Sequence, residues 1–214
     1  MAMLVISATS FEIAPFLEFL RDKKNNLSHD IDVLITGVGL VSTTYALMKQ
    51  IQIKRPAFIL QAGIAGCFDR NFPLSGVVAI KQDTVADLGV MEKQKWQSVF
   101  ELGFIRSNQF PWKRNWLINT SEKLKTCKLP KVKAITVNEI STSKKKIEAF
   151  RDAYDPMAET LEGVALHYVS LMENIPFLQI RSFSNYIGER NKKKWELNKS
   201  IDNLNRELIK YCHP

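Results

Sequence analysis

Long apolar runs are missing from this chain of 214 residues. Nowhere do about 18 apolar residues follow one another, the length a membrane-spanning helix requires. The first ten residues also lack a basic start followed by a long apolar run. A cytoplasmic protein that does not enter a membrane is therefore expected. Cysteine is scarce: Cys67, Cys127 and Cys212 are an odd number with no close pairing. They suggest neither a disulfide framework nor a CxxC metal or redox site, and they fit a reducing compartment. Histidine is as scarce. His29, His167 and His213 stand far apart without HExxH spacing, which argues against zinc hydrolysis and histidine-dependent nucleophilic catalysis. His167 alone lies in a convincing helical pattern, where a core or surface role is expected.

Acidic residues are outnumbered, 22 Asp and Glu against 30 Lys and Arg, for a net charge of +8. Such a balance permits a nucleic acid or an acidic small molecule as partner. Much of the excess sits in two runs, Lys144 to Lys146 and Lys192 to Lys194. Neither is interleaved with the aromatics of a stacking platform, so a solvated basic face is expected rather than a nucleic-acid interface. A hydrophobic fraction of 45% rules out a disordered or fibrous chain and suffices for a layered core.

Short apolar runs bounded by polar residues or glycine recur at Met3–Ala8, Val33–Thr36, Phe58–Ala62, Val77–Ile80, Ala134–Val137 and Phe177–Phe183. They read as mostly buried strands. Helical patterns lie at Phe11–Arg21, Val41–Ile53, Lys145–Asp152, Leu161–Glu173 and Leu197–Tyr211. This alternation predicts an α/β sheet covered on both faces. Leu161, Ala165, Tyr168, Val169 and Met172 form a stripe at helical spacing, which predicts a helix packed on the sheet with Glu162 near its first turn. The stretch from Met91 to Lys133 is polar, aromatic-rich and weakly periodic, and is expected to cover a site or make a subunit contact.

Two glycine stretches stand out. Ile35-Thr-Gly-Val-Gly-Leu-Val-Ser42 follows a strand and opens a helix, where free backbone amides can hold an anion or a polar ligand. It fails as a dinucleotide fingerprint, because Ser42 replaces the third glycine and the next strand ends in Gln61-Ala-Gly rather than an acid. Ala62-Gly-Ile-Ala-Gly-Cys67 reads as a second turn suited to close backbone approach. Ligands of open α/β sheets bind beyond the carboxyl ends of strands. That places Glu12, the Ala65–Gly66 turn, Arg181 and Asn185 at a candidate cleft. Each has a plain alternative: Glu12 and Glu162 as helix-start acids, Arg181 as a buried ion-pair partner, Asn185 as a turn cap. Their combination is what points to a site. Cys67, beside the glycines but without a histidine partner, is read as packing.

Three sets of motifs, Ala8-Thr-Ser-Phe-Glu-Ile-Ala-Pro15, then Thr36-Gly-Val-Gly39 with Gln61-Ala-Gly-Ile-Ala-Gly66, then Glu159-Thr-Leu-Glu-Gly-Val-Ala165 with Ile180-Arg-Ser-Phe-Ser-Asn185, resemble the nucleoside phosphorylase and nucleosidase superfamily. Within it they are most similar to the futalosine hydrolase family of the alternative menaquinone pathway. The resemblance implies a three-layer α/β/α fold with a mixed central β-sheet, one nucleosidase domain over residues 1–214, usually a homodimer, and no metal or organic cofactor. It also implies roles. Glu12 matches the acid that activates water, and Glu162 the acid that holds the ribose hydroxyls. Arg181 matches the arginine preceding the base-recognition residue, Asn185, and the two are expected on the leaving-group side. Trp195 matches an aromatic over the ribose and its 5′ substituent. Leu161, where relatives often carry methionine, and Ile64, Ala65, Gly66 and Ile140 are expected to line the substrate. In Ser141-Thr-Ser-Lys-Lys-Lys146 the chain departs from the Ser/Thr-Gly loop of relatives.

Phosphorylase relatives carry a glycine-rich phosphate loop after the first strand, where this chain has Ser7-Ala-Thr-Ser-Phe-Glu12. One carboxylate about 4 Å from a phosphate charge costs roughly 4 kcal/mol at an effective dielectric near 20, which favours water as the acceptor. The expected substrate is a small-molecule nucleoside, futalosine, yielding hypoxanthine and dehypoxanthinyl futalosine. Adenine-releasing relatives, the methylthioadenosine/S-adenosylhomocysteine nucleosidases, typically have aspartate where this chain has Asn185. An asparagine amide keeps a donor at any pH and suits a 6-oxopurine. Arg190 or a neighbouring lysine is expected to meet the carboxylate of the 5′ substituent. The alternatives are adenine release from methylthioadenosine or S-adenosylhomocysteine, and a nucleoside-binding module without catalysis.

Overall fold

Strand β1 (Ala2–Ser7) alternates its apolar side chains between two layers, Met3 and Val5 to one and Leu4 and Ile6 to the other, and all four are buried. In the computed structural model, which describes residues 2–22, 30–93 and 95–212, it is followed by α1 (Ala14–Arg21), β2 (Asp30–Ile35), α2 (Leu40–Ile53), β3 (Phe58–Cys67) and β4 (Val77–Val85). A hairpin of β5 (Gly89–Glu92) and β6 (Lys95–Ser98) leads to β7 (Leu117–Ile118), α3 (Glu122–Thr126), β8 (Lys131–Thr136) and α4 (Lys144–Tyr154). Then come β9 (Ala158–Thr160), α5 (Gly163–Met172), β10 (Phe177–Tyr186) and α6 (Leu197–Ile209). His29 and His213 lie outside the described residues.

The central sheet is mixed. Strands β1 and β2, β1 and β3, β3 and β10, β4 and β8, and β8 and β9 pair in parallel. Strands β4 and β10, β3 and β9, and β4 and β7 pair antiparallel. Because β3 pairs β1, β9 and β10, the strands β3, β9, β8, β4 and β10 close into a ring, with β1 and β2 extending from it. Helices α1 and α6 cover Met3, Val5, Leu60 and Ala62 through Phe16, Leu204 and Leu208. Leu47 and Ile51 of α2, with Leu166 and Val169 of α5, cover Leu4, Ile6 and Ile59. Helix, sheet and helix form the three layers.

Several boundaries differ from the sequence expectation for physical reasons. Residues 62–67, expected as a turn, are the second half of β3. They stay extended because β10 pairs along them, Gly63 opposite Arg181 and Gly66 opposite Asn185, and β9 pairs at Gly66 and Cys67. Asn185 likewise lies within β10 rather than beyond it. The first helix starts at Ala14 instead of Phe11, with Pro15 in its first turn, where a missing N–H costs nothing. Glu12 is therefore a loop residue and not a helix-start acid.

The stripe on α5 is only partly right. Ala165 and Val169 are buried, but Tyr168 and Met172 are exposed and Leu161 precedes the helix, while Val164, Leu166 and His167 are buried instead. The helix is enclosed on three sides: by the sheet, by α2, and by Phe100, Trp112 and Leu117 around Val164. His167 is a core residue, hydrogen-bonded to Leu117 O and the Gln179 side chain, and burial pushes it down to about 4. Among the described residues no helix is long and apolar enough to cross a membrane.

Candidate active site

A cavity of about 350 Å³ opens where β1, β3 and β10 end, and its wall includes Glu12, Ile64, Ala65, Gly66, Ile140, Leu161, Glu162, Asn185 and Trp195. That volume lies in the range of small-molecule sites. Glu12 and Asn185, 173 positions apart, meet here because the three strands run in parallel and deliver their carboxyl ends to one edge. Of the site residues expected from sequence, Arg181 alone is not on the wall.

Glu12 sits in the loop after β1 and is almost wholly buried. Its Oε2 accepts from Thr9 N (3.1 Å), Thr9 Oγ1 (3.0 Å) and Ser7 Oγ (3.4 Å), while Oε1 accepts from Ile64 N (3.0 Å). Glu12 N donates back to Thr9 Oγ1 (3.4 Å), the reciprocal pairing of a capping box. Helix α6 fixes the same loop: Asn205 Nδ2 donates to Glu12 O (2.9 Å) and its Oδ1 accepts from Phe16 N (3.1 Å).

Glu162 is the N-cap residue of α5, yet its side chain makes no capping bond. Its Oε1 accepts from Gly39 N (3.1 Å) and its Oε2 lies 3.5 Å from Arg181 Nη2. The glycine loop before α2 was expected to offer amides to an anion, and the anion it holds is this carboxylate. Gly37 and Gly39 adopt φ of +82° and +90°, which favours glycine there. Burial pushes the Glu162 carboxyl above its ordinary value, with Arg181 and the Gly39 amide pulling it down and Glu12 adding to the rise.

Arg181, 1% exposed, reaches across β3 at Gly63, and its Nη1 donates to Ile64 O (3.4 Å). A Cβ on Gly63 would lie 2.3 Å from that Nη1 and 3.0 Å from Glu12 Oε1. The Arg181 guanidinium, expected with Asn185 on the leaving-group side, is grouped with the two acids. It is both a buried ion-pair partner and part of the site's support.

Asn185, half-buried, accepts from Ser184 Oγ (2.9 Å) through Oδ1 and donates to Tyr186 O (3.1 Å) through Nδ2. An amide nitrogen carries two protons, so one remains for a ligand. Trp195 donates Nε1–H to Glu189 O (3.1 Å), and the Arg190 guanidinium lies 5.6 Å from its ring centroid. Of the basic run from Arg190 to Lys194, Arg190 is on the cavity wall.

Glu159 was passed over. It lies on β9 opposite Gly66, lines the cavity, and accepts from Ser141 N (3.0 Å) through Oε1, while Oε2 is buried without a partner. Burial pushes its carboxyl up. The signal was present in Glu159-Thr-Leu-Glu162, where only the second acid drew a role. Thr9, Phe11, Val38, Thr160, Ser184, Ile187 and Leu197 also line the wall. Among the described residues from 91 to 133 none does, and these do not cover this cavity. Met91 and Trp96 instead line a second cavity of about 450 Å³ beside the start of α4. Cys67 is buried, and burial pushes its thiol up to about 11, away from nucleophile chemistry. Among the described residues no three His, Cys, Asp or Glu side chains gather as a metal ion would need.

The architecture and the cavity at its strand ends define a class: the mixed α/β fold of nucleoside phosphorylases and nucleosidases. A 5′-methylthioadenosine/S-adenosylhomocysteine nucleosidase from Helicobacter pylori superposes with a TM-score of 0.78 at 18% identity, covering 98% of this chain and 96% of that one. The native futalosine hydrolase of Helicobacter pylori gives 0.78 at 18%, covering 97% and 95%. In sequence the chain is similar to the futalosine hydrolase of Thermus thermophilus, 26% identical over 96% of this chain and 92% of that one. It is also 25% identical to the futalosine hydrolase of Streptomyces coelicolor, over 79% and 73%. No protein-family model matches the chain.

Proposed function

We propose that the protein hydrolyses the N-ribosyl bond of futalosine, releasing hypoxanthine and dehypoxanthinyl futalosine. The observation that carries this reading is the meeting of Glu12, Glu162 and Asn185 on one cavity wall, in a chain similar in sequence to two futalosine hydrolases.

Cleaving an N-glycosidic bond builds oxocarbenium-like charge on the ribose while the bonding pair leaves with the base. Glu12 takes a proton from water as the water oxygen bonds to the anomeric carbon, and its negative charge also stabilises the cation. Glu162, an acceptor when ionised, holds the ribose hydroxyls. Arg181, which is off the wall, positions Glu162 rather than touching the base. The spare Nδ2–H of Asn185 donates a hydrogen bond to the departing purine, which takes its proton from solvent. Trp195 covers the ribose and its 5′ substituent, and Arg190 beside it meets the substituent's carboxylate. Leu161, Ile64, Ala65, Gly66 and Ile140 supply the apolar and backbone walls.

The reading makes the chain one nucleosidase domain acting in the cytoplasm on a small nucleoside, in menaquinone synthesis, without nucleic acid or membrane as partner. Exposed Val41 and Tyr45 on α2, with Tyr168 and Met172 on the adjoining α5, support a homodimer through that face. Incubating the protein with futalosine, inosine and methylthioadenosine, with and without phosphate, and chromatographing the released base tests the function. Hypoxanthine from futalosine independent of phosphate is expected. Adenine release alone would move the assignment to the methylthioadenosine nucleosidases, and no base from any substrate would overturn an enzymatic role.

A further inference from the structure

Behind Glu162 lies a set of buried polar groups that hydrolysis, as described, leaves unused. Asp83 of β4 is fully buried. Its Oδ1 accepts from Thr136 Oγ1 (3.0 Å), which lies 3.0 Å from Thr160 Oγ1. Two amides at the start of α5 point into the same cluster: Gly163 N donates to Thr160 Oγ1 (3.2 Å) and Val164 N to Thr136 Oγ1 (3.0 Å). Each hydroxyl has one proton. With Thr136 donating to Asp83, Thr160 donates to Thr136, and both oxygens are left to accept from the helix.

The first amides of a helix lack partners within it, and the N-cap side chain ordinarily accepts from the second or third of them. Glu162 is the N-cap, and its carboxylate instead takes Gly39 N and faces Arg181 and the cavity. Two threonines from neighbouring strands cap α5 in its stead. The approach of Asp83 to the helix is close enough to demand glycine next to Glu162, since a Cβ at Gly163 would stand 2.0 Å from Asp83 Oδ2.

We propose that Asp83, acting through Thr136 and Thr160, is a positioning residue that caps α5 in place of Glu162 and so leaves the Glu162 carboxylate free for the ribose hydroxyls. This rests on the ribose-binding role given to Glu162. Removing the Thr136 hydroxyl frees Val164 N, the amide an N-cap carboxylate ordinarily serves, and Glu162 turns from the ribose to take it.

The test compares wild type, Thr136→Val and Thr136→Ser on futalosine and on its 2′,3′-dideoxy counterpart. Thr136→Val is expected to lower kcat/KM for futalosine about tenfold or more. Thr136→Ser restores it, and the penalty vanishes on the dideoxy substrate, which has no hydroxyls for Glu162 to hold. An equal loss on both substrates, or no loss on either, overturns the proposal. Amide exchange at Gly39, whose N–H loses its acceptor when Glu162 turns to Val164, is measured in the same variants. It must quicken in Thr136→Val and recover in Thr136→Ser, and unchanged exchange refutes the capping even if the wild type turns over no nucleoside. Absent wild-type turnover with quickened exchange would overturn the hydrolase reading while sustaining the capping.

Discussion

Replacing Gly63 by alanine probes the centre of the site with one methyl group. The added carbon would stand 2.3 Å from Arg181 Nη1 and 3.0 Å from Glu12 Oε1. Carbon and nitrogen need about 3.5 Å, so the guanidinium must retreat by about 1 Å. It has little slack, being 1% exposed and already reaching Ile64 O at 3.4 Å and Glu162 Oε2 at 3.5 Å. A retreat therefore carries Glu162 with it or breaks the ion pair. Overpacking of this kind costs about 1–3 kcal/mol, which lowers Tm by about 3–10 °C in a chain of this size. A displacement of about 1 Å in a positioning group costs about 100-fold in rate. The assay pairs a circular-dichroism melt with chromatography of hypoxanthine released from futalosine. A lowered Tm with unchanged kcat would refute the link between the Arg181–Glu162–Glu12 assembly and the chemistry. An unchanged Tm would refute the packing argument itself.

Further consequences are open to measurement. Glu12→Gln should abolish turnover while largely sparing substrate binding, and wild-type rates in this variant would remove Glu12 as the base. Arg190→Ala should raise KM for futalosine and leave inosine cleavage unaffected; an unchanged KM would free Arg190 of the carboxylate. Burial pushes Asp83 up to about 7, opposed by the Thr136 hydroxyl and Arg181. The unfolded chain loses this proton near pH 4 and the folded chain keeps it to about 7, so stability falls as pH rises through that window, by at most about 1.4 kcal/mol per unit. Asp83→Asn should flatten that part of a denaturation-versus-pH curve, and a slope equal to wild type would contradict the assignment.

Strand and helix alternation is local information, and it located each of the six long strands, because apolar runs such as 58–60 and 77–80 must be buried wherever they occur. Partners were not legible. Glycine in Gly63 and Gly66 reads as a turn until a neighbouring strand holds it extended, and that strand lies more than 100 residues further on. Glu12 and Asn185 drew attention as polar groups near strand ends, and Glu162 through the resemblance carried by Glu159-Thr-Leu-Glu162. Glu159 and Asp83 were missed because each looks like an ordinary strand residue, and only the closed ring of β3, β9, β8, β4 and β10 turns them toward one another's neighbours. The α5 stripe failed in part for a related reason: periodicity marks a helix with one buried side, and this one is enclosed on three.

The grip of Asn205 on the backbone around Glu12 spans 193 positions of sequence. Every cavity residue up to Leu197 has left the ribosome before that asparagine emerges. Contacts so distant in sequence form after local ones, since the loop they close costs more entropy. A chain interrupted just short of Asn205 would hold all the chemical groups of the site but leave the Glu12 loop without this tether. Synthesis of α6 thus doubles as the step that completes the site.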